Sequence, residues 1–341
     1  MVLLKEIPKM RFTLLTIITS LFIFSHSFAQ PKITYVSSDN STGLLQVFTM
    51  NVDGSSKRQI TNVPFNCMFP RWSPDGNKIV FRTDDGRIYM VDNVLSDNAS
   101  EPLFVFGGDN PVFSHSGDEI IFSGDHAGVT TLYIMKPTDP DAEPISPIDF
   151  STQQVISNDG RYIVFSGFDE GSKCIFRMDV DDESDDYISK ISVNGNANLE
   201  PDISSDNQKY VYASFNNNLQ GTIYICENGV ETPLTKGITS ASQPKFSPDD
   251  KYIGFVSIED TNIEFNIMLS DGSGKKKFNV KGGNIGVFRW IDNQTIVYDA
   301  DEQNLHSIGT LNIVTGENNI IANSGMNLHP DVFVNSNNES N

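Results

Sequence analysis

The chain of 341 residues carries 44 acidic against 24 basic side chains, which gives a net charge of −20 at pH 7. This balance argues against nucleic acid and against an anionic membrane surface as partners, because like charges repel one another. It favours solubility and cationic ligands, divalent ions included, although a solvated acidic surface accounts for the same composition.

The first 29 residues have the pattern of an export signal. Lys5, Lys9 and Arg11 flank or precede an apolar run over 12–24, and Ser27-Phe28-Ala29 is a small-residue cleavage site. The run is shorter than the roughly 20 residues of a membrane-spanning helix. We therefore predict a signal peptide over 1–29, with translation starting at Met1 or Met10, and a mature protein in the periplasm or secreted beyond it. No membrane span is predicted.

The stretch from Pro70 to Val91 contains a unit of three predicted strands. The first strand ends at Trp72, a tight turn follows over 73–76 (Ser-Pro-Asp-Gly), and the second strand carries Ile79 and Phe81. Proline fixes φ, aspartate bonds its own backbone and glycine accepts a positive φ, so these residues suit a reversal of the chain. A polar turn then leads to a third strand. Alternating apolar residues predict strands throughout.

The same unit recurs seven times along the chain. The paired positions of the second strand are Ile33/Tyr35, Ile79/Phe81, Ile120/Phe122, Ile163/Phe165, Val211/Ala213, Ile253/Phe255 and Ile296/Tyr298. The third strands repeat at Val47-Phe48, Ile88-Tyr89, Leu132-Tyr133, Ile175-Phe176, Ile223-Tyr224, Ile267-Met268 and Ile308-Gly309. Successive second strands are 41 to 48 residues apart, which is typical of four-stranded propeller blades.

At these residues the sequence resembles the TolB-like, WD40-like (PD40) β-propeller repeat family. The signature of that family is an aromatic residue, Ser-Pro-Asp-Gly, an Ile-x-Phe strand and an Ile-Tyr strand, and the resemblance covers roughly residues 32–334. We expect no counterpart of the α/β domain that precedes the propeller in TolB proper. We expect an all-β, seven-bladed propeller of four-stranded antiparallel blades over 30–334, with six blades as the alternative. Residues 335–341 are expected to be a disordered tail.

The two ends of the repeat array are complementary. The first unit begins with a second strand at Lys32, and the last residues, from His329 to Val334, match a first strand and then stop. We predict that these ends join in one composite blade, with the C-terminal strand innermost. Such closure removes the open sheet edges of a linear stack.

Polar residues near the start of the innermost strands predict a binding site at the mouth of the axial channel. Charged residues are unusual in strands near a core, although ion pairing around a solvated channel accounts for them too. The predicted ligand-binding residues are Arg71, Glu200, Asp202, Gln243, Lys245, Arg289, His329 and Asp331. No residue is assigned to catalysis or to a metal.

The turns between second and third strands are rich in carboxylates and are predicted to open on the same face as the mouth. They contain Asp84-Asp85, Asp125-His126, Asp169-Glu170, Glu259-Asp260 and Asp301-Glu302. A rim of carboxylates suits a basic protein segment or calcium, but Asp is also an ordinary turn residue. No cofactor is assigned, and calcium is kept as an alternative ligand of these carboxylates.

The sequence lacks the motifs Gly-x-Ser-x-Gly, His-Glu-x-x-His and the P-loop. We therefore expect a monomeric binding or scaffolding module that recognises a protein or carbohydrate ligand and has no chemistry of its own. The alternative, implied by lyases in the wider propeller group, is a metal-assisted polysaccharide lyase or another carbohydrate-active enzyme. It requires His126, His329 and at least two carboxylates to meet in one pocket.

Overall fold

The computed structural model describes residues 31–334, except for 97–98, 140, 185 and 260 and the side chain of His126. The predicted signal peptide and the predicted tail lie outside these residues. The described part of the chain forms 28 β-strands in seven four-stranded sheets, which are the blades of a propeller. Among these residues no helix is long and apolar enough to cross a membrane.

Each blade is an antiparallel sheet, whose strands run in order from the channel outwards. Blade 1 contains β28 (Asn327–Phe333), β1 (Lys32–Ser37), β2 (Gln46–Asn51) and β3 (Arg58–Gln59). Blade 2 contains β4 (Cys67–Trp72), β5 (Ile79–Thr83), β6 (Arg87–Val91) and β7 (Leu103–Gly107). Blade 3 contains β8 (Asp109–Phe113), β9 (Ile120–His126), β10 (Val129–Met135) and β11 (Glu143–Pro144). Blade 4 contains β12 (Thr152–Ile156), β13 (Tyr162–Asp169), β14 (Ser172–Asp179) and β15 (Ile188–Lys190).

The last three blades follow the same order. Blade 5 contains β16 (Ala197–Ile203), β17 (Lys209–Phe215), β18 (Gly221–Glu227) and β19 (Val230–Pro233). Blade 6 contains β20 (Ser240–Phe246), β21 (Tyr252–Glu259), β22 (Asn262–Leu269) and β23 (Lys276–Phe278). Blade 7 contains β24 (Asn284–Trp290), β25 (Thr295–Glu302), β26 (Leu305–Asn312) and β27 (Asn318–Ala322). The predicted count of seven blades is confirmed.

The predicted closure of the ring is also confirmed. Strand β28 pairs with β1 in antiparallel register, with Ile33 opposite Val332 and Thr34 opposite Asp331. The composite blade then packs on blade 7, where Ile33 and Tyr35 share a buried cluster with Val297. The C-terminal strand thus completes the sheet that β1 begins.

The turn between the first two strands of a blade, which we call the Ser-x-Asp turn, is held by two side chains. In blade 5 the Ser204 hydroxyl donates to Asp206 (2.6 Å), while the Asp206 carboxylate accepts the N–H of Gln208 (3.0 Å). The turns of blades 4 and 6 repeat both contacts. The fourth position needs a positive φ, which Gly76 supplies at 70° and Asn207 at 61°. Serine and aspartate therefore recur in the turns of blades 2, 4, 5 and 6, where proline and glycine vary, whereas Ser116 takes the place of the aspartate in blade 3.

Two predicted registers are wrong. In blade 5 Tyr210 lies opposite Ile203 and Tyr212 opposite Tyr224, so the tyrosines take the places predicted for Val211 and Ala213. In blade 6 the third-strand pair is Phe265-Asn266, because Asn266 lies opposite Phe255, and not Ile267-Met268. Both faces of an inner-blade strand are buried, so hydrophobicity does not reveal which residues face which neighbour.

Candidate functional site

Every innermost strand has a β-bulge at the same place, facing the channel. In β4 it lies between Met68 and Arg71, and in β16 between Leu199 and Asp202. In six blades the bulge holds a non-glycine residue with φ between 50° and 57°: Phe69, Asn110, Gln153, Glu200, Gln243 and His329. All six lie inside the innermost strands. A proline follows five of the six, and proline within a strand marks such a bulge.

Side chains at the bulges connect neighbouring blades. Gln153 Oε1 accepts the N–H of Glu200 (3.0 Å), and Glu200 Oε2 accepts the N–H of Gln243 (2.7 Å). At the seam between blades 1 and 2, where the C-terminal strand β28 meets β4, the ring of His329 stacks on Phe69 with centroids 3.9 Å apart. A positive φ costs a non-glycine residue of order 1–3 kcal/mol, so these contacts help to maintain it.

Asp299 is a residue of this site that the sequence analysis missed. It lies in β25 with 3% of its surface exposed, and its two carboxylate oxygens accept the N–H groups of Val287 (2.6 Å) and His329 (2.8 Å). It therefore joins blade 7 to blade 1 beside the channel. Burial raises the pKa of Asp299, while the two N–H donors oppose that rise. The available signal was a carboxylate inside a strand that is otherwise typical of a core.

The next channel-facing position forms what we call the charged arc, which consists of Asp202, Lys245, Arg289, Asp331 and Arg71 in blades 5, 6, 7, 1 and 2. Asp331 Oδ1 lies 3.4 Å from both Arg71 Nη1 and Arg289 Nε, and Lys245 Nζ lies 3.5 Å from Asp202 Oδ1. The other oxygen of each carboxylate accepts a backbone N–H, from Trp72 or from Phe246. Charge-assisted hydrogen bonds usually measure about 2.7–2.9 Å, so the three cations are only loosely paired.

Seven of the eight predicted site residues line one cavity of about 890 Å³, and the eighth, His329, stacks on Phe69, which lines it too. Val112 and Val155 of blades 3 and 4 form an apolar wall next to the charged arc. The described lining continues to Ser205, Ser247 and Asp250 at the Ser-x-Asp turns. The cavity therefore opens on the face of these turns, whereas the acidic turns lie at the other ends of the second strands. The prediction that both share one face is wrong.

Crowding and burial shift the titration of these groups. The side chains of the charged arc are 15–24% exposed. Burial lowers the pKa of Arg71 to about 10, helped by Arg289 and opposed by Asp331. Burial also lowers the pKa of Lys245 and raises that of Glu200. Burial and the nearby Arg71 and Arg289 lower the pKa of His329 to about 4, so its imidazole is neutral at pH 7.

Within the described part of the chain, no group of three or more His, Cys, Asp and Glu residues is arranged to hold a metal ion. The surroundings of His329 include Arg71 and Arg289, which would repel a cation. The side chain of His126 lies outside the described part. No contact of the described residues favours the metal-assisted enzyme.

Comparison with known proteins places this fold among characterised propellers. The family model of the TolB beta propeller domain, PD40, matches residues 25–290. Dipeptidyl-peptidase 5 of Porphyromonas endodontalis is 22% identical over 244 residues, which are 65% of this chain and 34% of that protein. Dipeptidyl-peptidase 5 of Porphyromonas gingivalis is 24% identical over 285 residues, which are 74% of this chain and 40% of that protein. The chain thus spans well under half of these relatives.

Two solved structures share the fold at low identity. TolB from Acinetobacter baumannii has a TM-score of 0.56 and 21% identity, covering 75% of this chain and 65% of that one. The β-propeller domain of the Trilobed protease from Pyrococcus furiosus, described as having an open velcro topology, has a TM-score of 0.61 and 15% identity, covering 86% and 92%. Since the family model matches most of the chain, the chain belongs to the TolB β-propeller domain (PD40) family.

Proposed function

We propose that this propeller is a non-catalytic binding module whose channel receives a carboxylate-bearing part of a protein or polysaccharide ligand. The observation that carries the proposal is the loose pairing of the charged arc. Arg71, Lys245 and Arg289 face one cavity with two carboxylates, each of which has one oxygen engaged by a backbone N–H. A ligand carboxylate supplies the acceptors that these cations lack.

The chemistry of the cations supports a carboxylate over a neutral ligand. A guanidinium has five N–H donors in a planar fork that matches two carboxylate oxygens, and Arg71 and Arg289 approach the same oxygen of Asp331. Partial burial strengthens such contacts because water screens them less. The adjacent Val112 and Val155 accommodate an apolar part of the same ligand.

The surroundings of the channel support binding without catalysis. Asp299, Glu200 and His329 are occupied in contacts that hold the bulges, through the N–H groups of His329, Gln243 and Phe69. The names of the relatives, dipeptidyl-peptidases, support a peptide as one source of the carboxylate. The charged n-region, apolar run and cleavage site over 1–29 support export, so the ligand would be met in the periplasm or outside the cell.

The test is a calorimetric titration with two probes, an acetylated and amidated tetra-aspartate peptide and tetragalacturonate. Salt at about 0.15 M screens the overall negative charge of the protein. We expect one of the probes to bind, which identifies the source of the carboxylate. The double variant Arg71→Gln/Arg289→Gln should bind it at least about 100-fold more weakly, because two charge-assisted hydrogen bonds of about 1.5–3 kcal/mol are lost.

The matched control is Arg87→Gln/Lys275→Gln, which removes the same charge at exposed positions away from the cavity. Its affinity should stay close to that of the wild type. Failure of both probes to bind the wild type, or equal weakening by the two double variants, would contradict a carboxylate site in the channel.

A further inference from the structure

A second concavity lies outside the channel, between blades 3 and 4 on the face of the Ser-x-Asp turns. We call it the blade 3–4 cleft; its volume is about 650 Å³, within the range of about 300–1,000 Å³ typical of ligand sites. Its apolar floor comes from both blades and includes Ile134 and Ile145 of blade 3 and Ile163 and Met178 of blade 4. Ile134 and Ile145 are only partly buried, so the floor offers apolar surface to a ligand.

The rim of the cleft is acidic. Among the described residues, five carboxylates line the cleft, against the single guanidinium of Arg161: Glu119, Asp159, Asp179, Asp181 and Asp182. Arg161 is engaged by Asp179, with Nη2 2.9 Å and Nε 3.1 Å from its Oδ2. Neutral donors hold two of the others, since Asp159 accepts from the Ser157 hydroxyl and Asp182 from the N–H of Ser184. The rim therefore keeps an excess of negative charge, and contacts hold the carboxylates of Asp159, Asp179 and Asp182 in place.

The cleft is formed before any ligand arrives. Gly160, with φ of 78°, packs so closely on the side chain of His115 that an added Cβ would overlap it. This contact fixes the two turns that border the cleft. Ile156 lines both the cleft and the channel cavity, so the two sites are neighbours on one face.

We propose that the blade 3–4 cleft binds a protein segment that combines an aliphatic or aromatic side chain with a neighbouring lysine or arginine. The apolar side chain packs on the isoleucine floor, and the basic side chain meets Asp181 and Asp182 at the rim. Charge decides against a second copy of this chain as the occupant, since a protein of net charge −20 repels itself. The cleft and the charged arc share no charged residue, so each site is testable without the other.

The test uses fluorescence anisotropy with three labelled peptide probes. They are acetyl-Lys-Leu-Phe-Lys-Leu-amide, the same peptide with glutamate for lysine, and the same peptide with serine for leucine and phenylalanine. We expect the first probe to bind and the other two to bind at least about tenfold more weakly. One of them lacks the basic side chains and the other lacks the apolar side chains. Equal binding of the basic apolar probe and either comparison peptide would overturn the proposal, as would no binding of the first.

Variants locate the binding. Asp181→Asn/Asp182→Asn should weaken binding of the first probe about tenfold. The control Asp301→Asn/Glu302→Gln makes the same charge change on the opposite face and should leave the affinity for this probe unchanged. Arg71→Gln/Arg289→Gln should also leave it unchanged, so failure of the cleft is distinct from failure of the channel site. Equal weakening by the Asp181 pair and its control would overturn the proposal. So would a sedimenting dimer that the probe dissociates, because a second copy would then be the occupant.

Discussion

At the scale of single residues, the bulge residues of the innermost strands hold neighbouring blades together. His329 adopts φ of 55°, stacks on Phe69 and donates its N–H to Asp299. These contacts join the C-terminal strand to blades 2 and 7, and they surround the imidazole with Arg71 and Arg289. A protonated imidazole there would face two guanidinium groups. The seam therefore depends on His329 being neutral.

This dependence predicts how stability changes with pH. The pKa of His329 is about 4 in the folded protein and near its usual 6.5 when unfolded, so between these values the unfolded state binds the extra proton. The free energy of unfolding should fall as the pH drops from 6.5 to 4. Below pH 4 this residue should cause no further loss. The loss attributable to His329 is at most about 3 kcal/mol. Urea unfolding at a series of pH values measures it.

The control for this prediction is His329→Gln. Glutamine occupies the same bulge position in blade 4, where Gln153 accepts a backbone N–H from the next blade with φ of 57°. The variant should keep an acceptor for the seam but lose the titrating group, so its stability should depend less on pH between 6.5 and 4. Parallel pH profiles for the two proteins would show that His329 is not the group responsible.

At the scale of single elements, the outermost strands differ in how they protect their open edges. Five of the seven described outer strands contain a charged residue or proline, as in Lys276–Phe278 and Val230–Pro233, and β27 begins with two asparagines. Strand β7 has neither charge nor proline, and Leu103 and Phe104 are 50% and 52% exposed. An apolar edge of this kind favours pairing with another chain.

Leu103→Lys should therefore reduce aggregation without changing the fold. Its stability should stay within about 0.5 kcal/mol of the wild type, as for most surface substitutions. The temperature at which light scattering begins to rise on heating should increase, because a lysine on the edge opposes strand pairing. Leu219→Lys is the control: Leu219 is 81% exposed but lies in a turn. If both variants delay aggregation equally, exposed apolar area and not the strand edge is the cause.

The strands and turns also show which features of the fold can be predicted from the sequence. The Ser-x-Asp turns and Ile-x-Phe strands predict seven blades. They can be recognised in the sequence because their side chains make contacts within a single blade. The register of β17 escapes prediction because Val211, Tyr212 and Ala213 are all fully buried, which leaves no polar face to set the phase. The contact of Asp299 with Val287 and His329 depends on strands that only the closed ring brings together. Strand position predicts that the eight site residues lie near the channel, and seven of the eight line the cavity, but it does not predict the face on which the cavity opens.

For the whole molecule, the repeat array places two cavities with differently charged linings on one face. The charged arc gathers Arg71, Lys245 and Arg289 in the channel, while the blade 3–4 cleft gathers carboxylates, and Ile156 lies between them. A propeller makes this arrangement possible, because its inner strands line the channel while neighbouring blades meet beside it, as blades 3 and 4 do at the cleft. Both sites keep their geometry only while the ring is closed.

Closure rests on the last strand, so removing it should disrupt the whole fold. A chain ending at Met326 lacks β28, which leaves β1 without its inner partner and the cluster of Ile33, Tyr35 and Val297 open to water. We expect calorimetry to show no cooperative transition near the melting temperature of the wild type, and a synthetic peptide covering 327–341 to restore it at least in part. A chain ending at Val334 keeps β28 and should melt like the wild type. If the chain ending at Met326 melts cooperatively at the original temperature, closure by β28 does not stabilise the ring, and the channel must owe its shape to the blades alone.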